Sequence, residues 1–281
     1  MVKPIVKYQG GKSREIKTIT GLLPSFTGKI IEPFCGGAAV AFHYQRQSIL
    51  SDVNRDIINL YQVVASDQYQ ELQEKVDIIK TLEHDDLEIE FYSAREAINQ
   101  PWDCVDPLRR ALSYIVVRQL CFSGMERYNA NGEFNVPFGH YKSFSCNLSK
   151  DHHDFLLKCK ISHASFEHCF EDANENDFIF IDPPYLDRLG YTTGDGGSSL
   201  HEKLLSCLKT TSAKWLIIHS DHEFYRDSYK DYNIMTKDFV YSQRFGKNKN
   251  HSNAKVQHLY ITNYPVEELA HPTVTQHLDA V

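Results

Sequence analysis

Four consecutive residues carry the most chemistry in this chain: Asp182-Pro183-Pro184-Tyr185. They follow the apolar run Phe178–Ile181, which predicts a buried strand and puts the tetrad at that strand's carboxyl end. Proline fixes φ and donates no backbone hydrogen bond. The loop is therefore rigid and offers acceptors, the Asp182 carboxylate and the Pro183 carbonyl, beside an aromatic face. Two acceptors next to a stacking surface suit a flat ring bearing an amine, such as adenine. A bare Asp-Pro-Pro also reads as a structural turn. The tyrosine, the strand context and a second loop tip the balance toward a site.

That second loop is Glu32-Pro33-Phe34-Cys35-Gly36-Gly37, between a predicted strand and a helical pattern starting near Ala38. Glycines at such a turn let the backbone approach a ligand closely. Asp52 ends the next strand, where an acidic residue is placed to bind a ribose hydroxyl pair. A third glycine-bearing stretch is Lys7-Tyr8-Gln9-Gly10-Gly11-Lys12. It reads either as a flexible start or as a cover for a cofactor carboxylate. No G-x-G-x-x-G and no phosphate-loop lysine is present, which argues against a nucleoside triphosphate site.

The elements that must position these loops are strands at 29–34, 48–52, 177–182, 214–220 and 256–263. Helices at 38–46, 54–65, 200–210 and 222–230 lie between them. This alternation predicts an α/β fold with a mostly parallel sheet, whose ligands bind outside the carboxyl ends of the strands. Residues 67–150 break the alternation. They read as helices at 68–82, 87–99 and 107–122, then a hairpin-like segment at 128–141 turning at Asn131-Gly132. The expected division is a sheet domain in two parts, 1–60 and 151–265, an inserted domain at 61–150, and a weakly ordered tail at 266–281.

Composition excludes several classes. The chain has 281 residues, of which 42% are hydrophobic and 24% charged, as in an ordinary soluble globular protein. Its seven cysteines are odd in number and lack any C-x-x-C pair, which predicts reduced thiols, an intracellular location and no zinc site. The polar start is not expected to be a signal peptide, and no apolar run reaches membrane-span length. The fourteen histidines are scattered without metal spacing, and none receives a catalytic role here. Net charge is −7, which at first counts against a nucleic-acid partner. Resolved by segment, it does not. Residues 67–106 hold twelve acidic and three basic side chains, whereas 107–150 hold six basic and two acidic, and 243–255 hold four basic and none acidic. The two basic segments are candidate phosphate contacts or solvated loops.

Taken together, these motifs resemble the Dam family of DNA adenine-N6 methyltransferases, in order and across about residues 5–264. Lys7–Lys12 is similar to its N-terminal cofactor motif, Glu32–Gly37 to its cofactor loop, and Ser51-Asp52-Val53-Asn54 to its acidic strand end. Gly124-Met125-Glu126-Arg127-Tyr128-Asn129, followed by Phe134-Asn135-Val136-Pro137-Phe138-Gly139, resembles its DNA-recognition hairpin. Asp182–Tyr185 resembles its catalytic tetrad. Four positions depart from the pattern: Tyr8 for Trp, Ala38 for a third Gly, Ser165 for Asp, and Ser123-Gly124 for Asn-Gly.

The resemblance implies a Rossmann-like methyltransferase sheet with an inserted, mainly helical recognition domain carrying a β-hairpin. It implies methyl transfer from S-adenosylmethionine to the N6 amine of an adenine flipped out of duplex DNA, with GATC the leading target. Asp182, Pro183, Pro184 and Tyr185 would be catalytic. Tyr8, Gly11, Lys12, Glu32, Phe34, Cys35, Gly36, Gly37, Asp52, Phe166 and Asp182 would hold the cofactor. Phe166 reads equally well as core packing. On the DNA side, Arg127 would read guanine, whose O6 and N7 match the arginine fork. Met125 and Pro137 would meet thymine methyl groups, Phe122 would act as a wedge, and Ser123 and Asn129 would lie alongside. Arg118, His140, Lys142, Arg244, Lys247 and Lys249 would contact phosphates. No metal is implied. A cognate restriction endonuclease is a candidate partner, and a monomer is the default. The compartment would be the bacterial cytoplasm, or a host cell for a viral protein. Methylation of RNA adenine or of cytosine N4, and an inactive DNA-binding module of the same fold, are the alternatives.

Overall fold

The computed structural model describes residues 2–186, 198–241 and 254–266. Seven strands form one sheet: β1 (Ile30–Glu32), β2 (Ser48–Asp52), β3 (Lys160–His163), β4 (Phe178–Ile181), β5 (Lys214–Ser220), β6 (Asn233–Tyr241) and β7 (Ala254–Thr262). Their order is β3-β2-β1-β4-β5-β7-β6. The first five are parallel, and β7 runs antiparallel to both β5 and β6. Chain order reverses between β1 and β4, which creates a crevice at the carboxyl end of the sheet.

Burial on both faces explains the apolar runs of β1 and β4, and β2 is buried along its whole length with Ile49 and Leu50 at its centre. Successive side chains alternate between faces. Ile31, Ile49, Ile179, Ile181 and Ile217 join one cluster, and Phe178, Phe180, Leu216 and Ile218 join the other. The sequence pattern missed β3 and β6, the two edge strands. Each has one neighbour only, so neither needs an apolar run; β6 instead carries Lys237 and Asp238 on exposed positions.

Helices α1 (Ile16–Leu22) and α2 (Ala39–Tyr44) precede α3 (Arg55–Val64), whose N-cap Asn54 accepts from the Asp56 and Ile57 N–H groups. The inserted segment contains α4 (Tyr69–Ile79), α5 (His84–Asn99) and α6 (Pro107–Leu120). Asp106 caps α6 through the Arg109 N–H, and Pro107 fills its first turn. α6 is buried along most of its length and shares one continuous core with α3, α4 and α5. The last helices are α7 (Lys150–Leu156), α8 (His168–Glu171), α9 (Ser198–Thr210) and α10 (Glu223–Ser228).

The hairpin-like segment makes two antiparallel bridges, Cys121 with Phe138 and Tyr128 with Phe134, rather than a full ladder. Side chains from α5 take the ladder's backbone groups. Asn99 Oδ1 accepts from the Phe134 N–H at 2.8 Å, and Asn99 Nδ2 donates to the Phe134 carbonyl at 3.1 Å. Arg95 donates to the Val136 carbonyl. This gives the Phe134–Gly139 motif a packing role that its sequence hid. Phe134, Val136 and Phe138 point inward and are buried, while Asn135 and Pro137 alternate outward. A side chain on Gly139 would strike the Tyr141 ring and the Leu120 carbonyl.

Burial also revises the charge map. Of the six basic residues at 107–150, Arg110 and Arg118 lie in the core. Arg110 pairs with Asp56 and donates to the carbonyls of Ile98 and Gln100.

Candidate active site

Four strand ends meet in the crevice. The loop after β1 is the tightest. Asp52, at the end of β2, receives the Gly36 N–H on Oδ2 at 2.8 Å and the Asn54 N–H on Oδ1 at 2.9 Å. Tyr61 donates from its hydroxyl to the Gly36 carbonyl. Gly36 has φ +43°, and a Cβ there would lie 2.6 Å from the Tyr8 ring. Only glycine lets Tyr8 close down on this loop. Ala38 also takes a left-handed φ, at the position where a third glycine was expected from the resemblance. Burial pushes the Asp52 carboxyl up, and the backbone donors pull it back.

The neighbouring residues divide by what their side chains do. Phe34 stacks on Phe166 at 5.2 Å beside the β2 end, and Phe166 is buried. Glu32 faces inward: its Oε1 accepts from the Ala41 N–H, and burial raises its pKa to about 8. The Cys35 thiol lies in the core, and burial raises it well above the ordinary thiol range. Glu32 and Cys35 therefore shape the loop from inside, and only the backbone of Cys35 is available to line the crevice.

The tetrad leaves β4 as its composition demands. Asp182 Oδ2 lies 2.6 Å from Lys12 Nζ, which also donates to the Gly10 carbonyl. Gly11 and Lys12 owe their position to a turn in which the Gly11 N–H donates to the Tyr8 carbonyl. Burial pushes the Asp182 carboxyl up, and the Lys12 ammonium opposes that shift. Lys12 Nζ also lies 5.2 Å from the centre of the Tyr185 ring. The structure thus joins a lysine and a carboxylate that the sequence placed 170 residues apart.

Two residues of this region were passed over in the sequence. His219, near the end of β5, accepts the Leu186 N–H on Nε2 at 3.1 Å, and its Nδ1–H donates to the Ser220 carbonyl. It holds the residue that follows the tetrad and lies against the Tyr185 ring. His258 on β7 meets Glu15, one turn beyond Lys12. The signal for His219 was present: it closes an apolar strand at the carboxyl end, as Asp52 and Asp182 do.

The residues expected to read DNA lie on the segment after α6. Arg127 is exposed, and its Nε and Nη2 donate to the Asn135 side chain and carbonyl at 2.8 and 3.1 Å. Phe122 is 46% exposed, an unusual state for a large apolar side chain. Ser123 and Gly124 both take left-handed φ values and turn the chain there. Pro137, His140 and Lys142 are exposed, whereas Met125 is half-buried against the core. Asn129 builds the tip, accepting the Asn131 and Glu133 N–H groups.

Arg118 does not reach the surface. It is 1% exposed, and it donates to the carbonyls of Lys7, Gly124 and Met125, so no phosphate can reach its guanidinium. Hydrophilic type and neighbouring basic residues suggested a contact; its place on the buried face of α6 decides otherwise. Arg244, Lys247 and Lys249 lie outside the described residues. Glu126 joins the two sides, accepting from Asn54 Nδ2 and the Tyr128 hydroxyl. Among the described residues no group of His, Cys, Asp and Glu could hold a metal ion, and no helix is long and apolar enough to cross a membrane.

Comparison with known proteins agrees with this geometry. Residues 8–243 match the model of the D12 class N6 adenine-specific DNA methyltransferases. A type II methyltransferase, M.CviBI of Paramecium bursaria Chlorella virus NC1A, is 34% identical over 94% of this chain and all of its own length. The DNA N-6-adenine-methyltransferase of Escherichia phage P1 is 34% identical over 82% of this chain, which spans 31% of that longer protein. The DNA adenine methylase of Haemophilus influenzae is 28% identical over 81% of this chain and 82% of its own. With a mixed sheet that reverses order beside the Asp-Pro-Pro-Tyr loop, and a family match covering most of its length, the chain belongs to the D12 class of N6 adenine-specific DNA methyltransferases.

Proposed function

We propose that the chain transfers a methyl group from S-adenosylmethionine to the N6 amine of an adenine flipped out of duplex DNA, with GATC as target. The observation that carries this reading is Asp182 at the carboxyl end of β4, held by Lys12 beside the Tyr185 ring.

The cofactor's chemistry fits the residues present. Asp52 offers acceptors for a ribose, Phe34 and Phe166 an aromatic wall for its base, and Gly36–Gly37 a backbone without side chains. Tyr8, Gly11 and Lys12 would close over its methionine end. When bound, S-adenosylmethionine supplies the electrophilic methyl group. The chain's own residues make the amine a nucleophile. An exocyclic amine is a poor one, because its lone pair is delocalised into the ring. Lys12 holds Asp182 Oδ2 in place, and we assign Oδ1 and the Pro183 carbonyl to the two amine protons. Acceptors at both protons favour the localised, more tetrahedral amine. Prolines at 183 and 184 keep those acceptors rigid. Tyr185 would stack on the flipped base, which cannot reach this crevice from inside the helix.

For recognition we propose residues 61–150 as the DNA-reading unit, with Arg127 on guanine and Phe122, Ser123, Met125, Asn129 and Pro137 alongside. His140 and Lys142 would meet phosphates. We further propose a monomer acting inside the cell, and the type II relative favours a cognate endonuclease as a partner. The test is single-turnover transfer of a labelled methyl group to unmethylated DNA. Asp182→Ala is expected to slow it at least about 10²–10³-fold while calorimetry still detects cofactor binding. A variant that labels DNA like wild type refutes the assignment, and sequencing the methylated adenines reads the target.

A further inference from the structure

We propose that Glu15 and His258 are positioning residues that set Lys12, Asp182 and Tyr185 from behind, an inference that rests on the reading of Asp182 and Tyr185 given above. Glu15 is 4% exposed and sits one tight turn after Lys12, its N–H donating to the Lys12 carbonyl at 2.8 Å. His258 is fully buried, and its Nδ1 lies 2.9 Å from Glu15 Oε2, the oxygen that also accepts from the Tyr260 hydroxyl. The His258 ring meets the Tyr185 ring edge-on at 5.7 Å and stacks flat on Phe239 at 5.3 Å. His258 also pairs across from Ser220, at the end of β5.

These contacts close a circuit. Asp182 holds Lys12, Lys12 leads to Glu15, Glu15 holds His258, and His258 abuts Tyr185, whose ring Lys12 also approaches. The sheet fixes His258, so the circuit ties the N-terminal segment to the tetrad through buried partners. A buried carboxylate costs free energy unless it is paired. Burial opposes the Glu15 charge, but His258, Lys12 and Tyr260 overcome it and hold its carboxyl below the usual range. A packed apolar side chain would have avoided that cost. What the Glu15 carboxylate provides is a second anion near Lys12. Lys12 Nζ itself bonds Asp182 and the Gly10 carbonyl, and the Glu15 charge acts on the ammonium through space, so that Asp182 keeps its strength as an acceptor. Without that charge, the pull of Lys12 on Asp182 is less opposed and the carboxylate becomes a weaker acceptor for the substrate amine.

Glu15→Gln keeps the side chain's volume and an acceptor oxygen but removes the charge. His258→Asn keeps a donor near the Nδ1 position but removes the ring against Tyr185. Single-turnover transfer to duplex DNA with S-adenosylmethionine, calorimetry for the cofactor and thermal melting are measured for both, with Asp182→Ala in parallel. The expected result is a transfer rate reduced about 10- to 100-fold, with cofactor and DNA affinities within about twofold of wild type and little change in melting. A purely structural role would move melting and affinity together with rate. Rates within about twofold of wild type, a loss confined to KM, or failure of both variants to fold would each overturn the proposal. If Asp182→Ala itself transfers at the wild-type rate, the reading of the site is what fails. If only that variant is slow, the positioning role alone falls.

Discussion

Two buried cations hold the two working regions, and they do so differently. Lys12 is 3% exposed and Arg118 is 1% exposed, and each faces a carboxylate: Asp182 at 2.6 Å and Glu126 at 3.6 Å. Lys12 delivers a compact charge to one oxygen of Asp182, with a second bond to the Gly10 carbonyl. Arg118 uses its planar fork on three backbone carbonyls, those of Lys7, Gly124 and Met125. The lysine tunes a side chain in the crevice, and the arginine welds the N-terminal segment to the turn below the reading hairpin. The residue types match the tasks, since an ammonium is a point donor and a guanidinium a rigid, multiply donating plane. On the proposed reading, buried charge at one end therefore serves reactivity, and at the other it serves shape.

The sharpest way to break this contrast is to delete each cation. Arg118→Ala leaves three buried carbonyls without their donor and the Glu126 carboxylate without its countercharge. The expected cost is about 3–5 kcal/mol of folding stability, the range for breaking a buried pair, read by denaturant unfolding. Arg118→Lys should recover little, because one ammonium cannot bridge three carbonyls. Lys12→Ala should instead cost mainly transfer rate, since Asp182 keeps 19% of its side-chain surface exposed and can take up a proton. Equal losses of stability in the two variants would show that both cations are scaffolding.

The proposed reading region can be probed without touching its scaffold. Arg127 is exposed and held in plane by Asn135, so its removal should leave folding intact. Arg127→Ala is expected to cost about 1–3 kcal/mol of discrimination at a single base pair. Methylation of substrates differing at one position should therefore level out. A uniform drop across all substrates would instead mark Arg127 as a phosphate contact.

The same contrast explains what the sequence disclosed. The sheet was legible where strands are buried on both faces, because burial favours apolar, β-branched side chains there. The edge strands β3 and β6 escaped because one exposed side removes that preference. Asp52, Asp182 and Lys12 were legible because their motifs are contiguous. Arg118 was misjudged, since charge is visible in a sequence and burial of a charge is not. Glu15 and His258 were invisible for a related reason: they are 243 residues apart, and only the β7 register brings them together. The motif Phe134–Gly139 was legible only as a resemblance, and its alternation of buried and outward residues follows from the α5 side chains that hold its backbone.

Acid should separate the two regions by the smallest of these effects. His219 and His201 pack around Tyr225 behind the tetrad; burial lowers their pKa values to about 3 and about 4, and neighbouring histidines lower them further. Both are neutral in the fold, whereas the ordinary value is 6.5. Below pH 6.5 the unfolded chain therefore binds protons that the folded chain refuses, so stability falls as pH falls, until the folded values are reached. Near pH 5.5 each histidine should account for about 1 kcal/mol of loss. His219→Gln keeps an acceptor for the Leu186 N–H and should flatten the acid limb by that amount. The chain's two tryptophans report the regions separately. Trp215 packs on Tyr229, which stacks on Tyr225, while Trp102 lies in the inserted segment against Arg55 and Arg110. In a Trp102→Phe protein, the Trp215 emission should shift during acidification before activity-independent DNA binding is lost. Loss of DNA binding at a higher pH than the Trp215 transition would place the acid-sensitive element in the reading region and reverse the contrast.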